Sequence, residues 1–197
     1  LDLIYLDTGA MYRVATFVAL QKETDDAKEI IEFIEKNPIS FMNGQKGQEV
    51  LMGSENVTEV IRTNEVTNTV SKISAMTEIR EFMVAEQQRI AKNGGIIMDG
   101  RDIGTCVLPN AQLKIFLTAS VQVRAKRRHD ELVEKGECCD LAEIEKDISE
   151  RDYRDMHREI APLKAAEDAV MLDSSELNID EVVEAIYEYA KKAGLEA

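Results

Sequence analysis

The residues best suited to chemistry lie in one stretch, Gly94-Gly95-Ile96-Ile97-Met98-Asp99-Gly100-Arg101-Asp102-Ile103-Gly104-Thr105. Three apolar residues bounded by glycines predict a short strand buried on both faces, which delivers Asp99, Arg101 and Asp102 at its C-terminal end. Ligands of open α/β sheets bind outside the carboxyl ends of the strands. An acid directly after an apolar run is placed as in a Walker B strand, so Asp99 could arrange Mg²⁺ through water. Gly100 and Gly104 let the backbone come close to a ligand, and Arg101 offers a planar fork suited to a phosphate. A plain strand end with a polar turn would account for the same residues, so the stretch alone leaves both readings open.

Other candidates depend on the elements that would carry them. Residues 1–6 (LDLIYL) predict a short buried strand, and Asp7-Thr8-Gly9 a turn with Thr8 as N-cap of a helix over 10–21. Tyr12 and Arg13 fall on the first turn of that helix, where Arg13 could help hold a phosphate and Tyr12 could equally be core. A helix over 25–36 follows, with one apolar stripe. Residues 39–42 and 49–52, joined by Asn43-Gly44-Gln45-Lys46-Gly47, predict a hairpin, with a short third strand at Asn56-Val57. Together they predict a small β insert over 37–63. Residues 65–92 predict one long helix. Its apolar positions Val66, Val70 and Ile73 continue in phase to Thr77, Arg80 and Val84, with Ser71 close to that face. For Ser71 a plain surface serine is the competing reading.

Downstream, residues 113–117 predict another buried strand, then a helix from Val121 bearing Arg124, Lys126, Arg127, Arg128 and His129. A basic run is most often a solvated face. The next helix has two possible packed stripes. Leu141, Ile144 and Ile148 continue in phase through Arg151, Asp155 and Arg158, which would suit a wet cleft that receives an anion. Tyr153, Met156 and Ile160 form the rival stripe, which would leave the charges as surface pairs. Ala161-Pro162-Leu163 is expected to end that helix. Residues 169–172 predict a last buried strand, and Ser175 or Asn178 the cap of a closing helix through Tyr189.

The whole predicts a single α/β domain with a mostly parallel sheet. At net charge −14 the chain would repel duplex nucleic acid, and no apolar run approaches the ~20 residues of a membrane span. No signal-peptide pattern opens it. Cys106, Cys138 and Cys139 match neither a disulfide framework nor a zinc spacing, which fits a reducing cytoplasm.

Five motifs, read together, resemble bacterial-type cytidylate kinase from end to end: LDTGAMYR (6–13), VIRTNEVTNTVSKIS (60–74), DGRDIGT (99–105), ERDYRDMHRE (150–159) and APLKAAEDAVMLD (161–173). The resemblance implies a P-loop nucleoside monophosphate kinase fold with helices on both faces of the sheet. It implies that 37–63 belongs to an inserted monophosphate-binding lobe and 121–160 to a helical lid region. It implies transfer of the γ-phosphoryl group of ATP to CMP or dCMP with Mg²⁺, by a protein expected to be a monomer. By motif, Ser71, Arg80 and Asp102 resemble the residues that read cytosine, and Arg151 and Asp155 the ribose contacts. Arg13, Arg101 and Arg158 resemble the phosphate clamp, with Thr8 and Tyr12 in the same pocket. Arg101, Arg151, Arg154 and Arg158 are the catalytic candidates, and Arg124, Arg127 and Arg128 lie on the ATP side. No G-x-x-x-x-G-K-[ST] motif occurs in the 197 residues. The resemblance therefore carries the expectation that an N-terminal strand, P-loop and helix are lacking, and that this chain alone is inactive. Two readings stay open beside it: a nucleotide-binding module without catalysis, and a kinase of this fold with another small acceptor.

Overall fold

The computed structural model describes residues 3–44 and 47–195. The chain divides into two compact units, Asp2–Ile103 and Gly104–Ala197.

In the first unit, strand β1 (Ile4–Asp7) pairs in parallel with β5 (Ile96–Asp99). The register runs Ile4↔Ile96 to Asp7↔Asp99, so both strands end on an aspartate, side by side. Helix α1 (Thr8–Lys22) follows β1 directly and carries Ala10, Met11, Val14, Ala15 and Val18 into the core. Its apolar residues occupy nearly every side, the pattern of a central helix. Asp7, not Thr8, caps it: the Asp7 carboxylate accepts from the Ala10 N–H at 2.9 Å. Asp7 still has extended backbone (φ −75°, ψ 94°) as the chain leaves β1, whereas Thr8 is already helical. Helix α2 (Ala27–Lys36) is capped by Asp26 and buries Ala27, Ile30 and Ile34. Strands β2 (Ile39–Gly44), β3 (Gly47–Met52) and β4 (Glu55–Asn56) form the antiparallel sheet expected from the hairpin pattern. Residues 45 and 46 of its turn, like residues 1 and 2 of the expected first strand, lie outside the described residues.

Besides the Thr8 cap, two further expectations fail here. The strand over 96–98 is not buried on both faces: Ile97 is 43% exposed, as are Tyr5 (44%) and Ile4 (68%) on β1. Two strands with one covered face leave the other open, and only Leu6 joins the core fully. The helix over 65–92 is broken into α3 (Asn64–Ile73) and α4 (Thr77–Ala91). At the break Met76 turns extended (φ −70°, ψ 127°). In an unbroken helix the Ser74 carbonyl would accept the N–H four residues on. Here it accepts from the Arg80 guanidinium at 3.2 Å.

In the second unit, β6 (Ile115–Thr118) pairs in parallel with β7 (Val170–Asp173). Helices α5 (Val121–Glu134) and α6 (Leu141–His157) pack against each other and are capped by Ser120 and Asp140. Helix α7 (Ile179–Lys192) opens with a capping box, in which Asn178 and Glu181 satisfy each other's backbone N–H. Helix α6 stops at His157, short of the expected Ala161-Pro162, because Arg158 turns extended and Ala161 takes a left-handed φ of 49°. A π-helical turn (Ile103–Val107) spans the boundary of the units. Among the described residues, no helix is long and apolar enough to cross a membrane.

Candidate active site

The C-terminal ends of β1 and β5 form a carboxylate ledge. Asp7 and Asp99 are register partners, and the Tyr5 hydroxyl donates to Asp99 at 3.0 Å. The Thr8 hydroxyl donates to the Asp99 carbonyl at 2.5 Å, which ties the start of α1 to the end of β5. A side chain at Gly100 would run into that hydroxyl and into Ile103, so the turn needs glycine for close approach. Arg62 approaches Asp7 at 3.5 Å. Desolvation, and then the neighbouring Asp7 charge, hold the Asp99 carboxyl above the usual range, although the residue as a whole stays exposed. Burial and the adjacent Asp99 likewise push the Tyr5 phenol well up.

One step past the ledge, Asp102 is buried and paired with Arg80, the two side chains 5% and 4% exposed. Arg80 comes from α4 and points back across the α3–α4 break, where Ser74 takes its second hydrogen bond. Its guanidinium also lies 5.5 Å from the centre of the Tyr12 ring. A buried arginine is thus held by a carboxylate, a carbonyl and an aromatic face from three different elements. Ser71 is half-buried on α3, one turn before that break. Arg13 donates to the Ile61 carbonyl at 3.0 Å and to the Thr67 hydroxyl at 2.9 Å. Arg101 stands exposed in the loop after β5. A shallow groove of about 300 Å³, lined by Met11, Ile34, Pro38, Ile39, Phe82 and Met83, holds none of these candidates.

The second unit decides between the two stripes of α6. Asp155 is buried and Arg151 half-buried, both in phase with Ile144 and Ile148, and Arg158 is half-buried just past the helix end. Tyr153 (64%), Met156 and Ile160 are exposed. Arg151 lies 3.9 Å from Asp155, and Arg158 donates to the Ala161 carbonyl at 2.6 Å. Ala161, whose carbonyl accepts from Arg158, is one of the two non-glycine residues with positive φ among the described residues. Arg154 is exposed and donates to the Glu150 carbonyl at 3.3 Å. The basic run of α5 is not uniformly solvated. Arg124 binds Asp152 at 2.6 Å and the Ala119 carbonyl at 2.9 Å. Arg127 donates to the Ser174 and Leu177 carbonyls at 2.6 and 3.0 Å, tying α5 to the β7–α7 connection. Arg128 pairs with Glu131 at 2.9 Å.

Sequence reasoning missed Asp7, Tyr5, Arg62 and the Ser74 carbonyl. Asp7 had a legible signal, since it follows an apolar run just as Asp99 does. The others depend on pairings with no local trace.

Parallel strand pairs with helices in the connections, one pair ending side by side on Asp7 and Asp99, define an α/β protein. Residues 1–192 match the family model described as cytidylate kinase. The chain is 78% identical over 192 residues to a cytidylate kinase of Lactococcus lactis subsp. lactis (strain IL1403), covering 98% of this chain and 87% of that protein. It is 68% identical to one from Lactococcus lactis subsp. cremoris (strain MG1363) over the same span. It is 56% identical over 191 residues to one from Streptococcus pyogenes serotype M6, covering 95% of this chain and 84% of that protein. The chain belongs to the cytidylate kinase family, ATP-dependent nucleoside monophosphate kinases. The comparisons do not show the expected lack of an N-terminal segment, nor the inactivity drawn from it.

Proposed function

We propose that this chain transfers the γ-phosphoryl group of ATP to CMP or dCMP, and that Asp102 and Arg80 read the cytosine. The buried Arg80–Asp102 pair carries this reading. Two charges withdrawn from water, Asp102 in the loop outside a strand end and Arg80 on α4, are costly to the fold alone, and a polar ligand with matching hydrogen bonds gives them a use. Cytosine presents an exocyclic amine where uracil presents a carbonyl. A carboxylate accepts from the first and repels the second, at about 1–3 kcal/mol of discrimination. Arg80, oriented by Ser74 and Tyr12, donates to the ring's acceptor edge, and Ser71 completes the pocket.

In the first unit Arg13 and Arg101 neutralise the acceptor phosphate, with Thr8 and Tyr12 shaping the pocket, and residues 37–63 serve as the monophosphate lobe. In the second unit Arg151 and Asp155 hold the ribose and Arg158 the phosphate, within a lid region over 121–160. Arg124, Arg127, Arg128 and Arg154 are assigned to the ATP side. Phosphoryl transfer asks for alignment and charge neutralisation more than covalent chemistry, which suits a site of arginines. The acceptor phosphate is already ionised at neutral pH, so no general base is required. The Asp7–Asp99 ledge offers oxygen donors, the type Mg²⁺ takes through one or two carboxylates beside waters and phosphates. Mg²⁺ held there through water would offset charge on the transferred group. Asp99 is its designated residue.

Asp102→Ala is expected to raise KM for CMP and narrow the CMP/UMP ratio of kcat/KM by roughly tenfold to a hundredfold. Asp102→Asn should lessen the rejection of UMP, because its amide can donate to the carbonyl. Steady-state kinetics with CMP, dCMP and UMP decide it. If all three rates fall together at an unchanged ratio, Asp102 serves the loop and the base is read elsewhere.

A further inference from the structure

Cys138 and Cys139 occupy the connection between α5 and α6. Both thiols are free, Cys138 exposed and Cys139 half-buried. Gly136, at φ 78°, turns the chain out of α5, and the Asp140 carboxylate caps α6 through the Ala142 and Glu143 N–H groups at 2.7 and 3.1 Å. The pair is therefore held between two anchored helix ends. The Cys139 thiol donates to the His129 carbonyl of α5 at 3.9 Å. We propose that this pair is a binding site for a monosubstituted trivalent arsenical, its two sulfurs acting as one bidentate ligand.

Geometry and coordination number select this class. The peptide between the two cysteines is trans, which sets their Cα atoms about 3.8 Å apart. A disulfide wants about 4.4–6.8 Å, so direct oxidation of the pair is opposed. A third atom inserted between the sulfurs removes that obstacle. Zinc is a poor fit, because a structural site needs four ligands. Among the described residues no group of three or more His, Cys, Asp or Glu side chains is placed to hold a metal. A monosubstituted arsenic(III) centre needs only two sulfurs, since carbon fills its third position, and thiolate is the soft ligand it prefers. The step balances without an oxidant: two S–H bonds break, two As–S bonds form, and the As=O oxygen leaves as water with both thiol protons. Arsenic stays trivalent. Closing the chelate draws the Cys139 sulfur off the His129 carbonyl.

The test is intact-protein mass spectrometry of the reduced chain with phenylarsine oxide in excess 2-mercaptoethanol, which strips single-thiol adducts. One adduct per chain should persist and be removed by 2,3-dimercaptopropanol. Cys106→Ser should keep it. Cys138→Ser and Cys139→Ser should each weaken retention by on the order of a hundredfold, the gain a second tethered contact gives. Both substitutions lie in a loop, and circular dichroism melts confirm that the variants are folded. An adduct that survives in either variant, or that is lost in Cys106→Ser, overturns the proposal.

Discussion

The Arg80–Asp102 pair gives the sharpest test of the fold. Asp102→Ala leaves a buried guanidinium facing a void where its carboxylate stood. Breaking a buried pair by removing one partner costs about 3–5 kcal/mol, because the remaining charge is uncompensated. Arg80 would keep the Ser74 carbonyl and the Tyr12 ring, which places the expected loss near the lower end, at about 3 kcal/mol. For a chain of this size that is roughly 6–12 °C in Tm. Arg80→Met should cost a similar amount, since it strands the carboxylate and also unfastens the α3–α4 corner. The double variant Arg80→Met/Asp102→Leu removes both charges and keeps apolar volume, so it should be more stable than either single variant. With Asp102→Leu as the matching single variant, urea unfolding at constant m-value measures all four corners of the cycle, with a coupling of at least about 2 kcal/mol expected. Single losses under about 1 kcal/mol that add in the double variant would refute the reasoning, because the pair would then be neither buried nor coupled.

Two further outcomes concern the break and the ledge. Thr77 is the first residue of α4 and follows an extended Met76, the setting in which proline fits. Thr77→Pro should stabilise the chain by about 0.4–1 kcal/mol, read as a higher urea midpoint; a loss would mean that the break is not preformed. Asp99→Asn removes a carboxyl whose folded pKa is raised. A raised pKa means the folded state holds its proton more tightly, so the Asp99 contribution is most favourable below the ordinary pKa of 3.8 and declines as pH rises through the folded value. The Tm difference, Asn variant minus parent, should therefore grow with pH above about 4 and then level off. A difference that is flat or shrinks with pH would show that Asp99 is not desolvated by its neighbours.

The sequence by itself determined whatever has a short-range physical cause. Apolar spacing of three and four made α2 and α6, and an apolar run around paired glycines made the β2–β3 hairpin. Short polar side chains before periodic segments made caps of Ser120 and Asn178. The five motifs carried the family. Only the tertiary structure decided the rest. Helical phase carries through residues 74–76 as if nothing happened there, because a periodicity does not register a break that preserves it. At the break the Ser74 carbonyl has Arg80 as its partner, and Arg80 in turn finds Asp102 at 22 residues' separation. On α6 two stripes were equally legible, and burial of Asp155 over Tyr153 was settled by what packs on the helix, not by the helix. Asp7 became a neighbour of Asp99 because β1 and β5 pair in register across more than 90 residues. A buried charge needs a partner, and the identity of that partner is fixed only when distant parts of the chain meet.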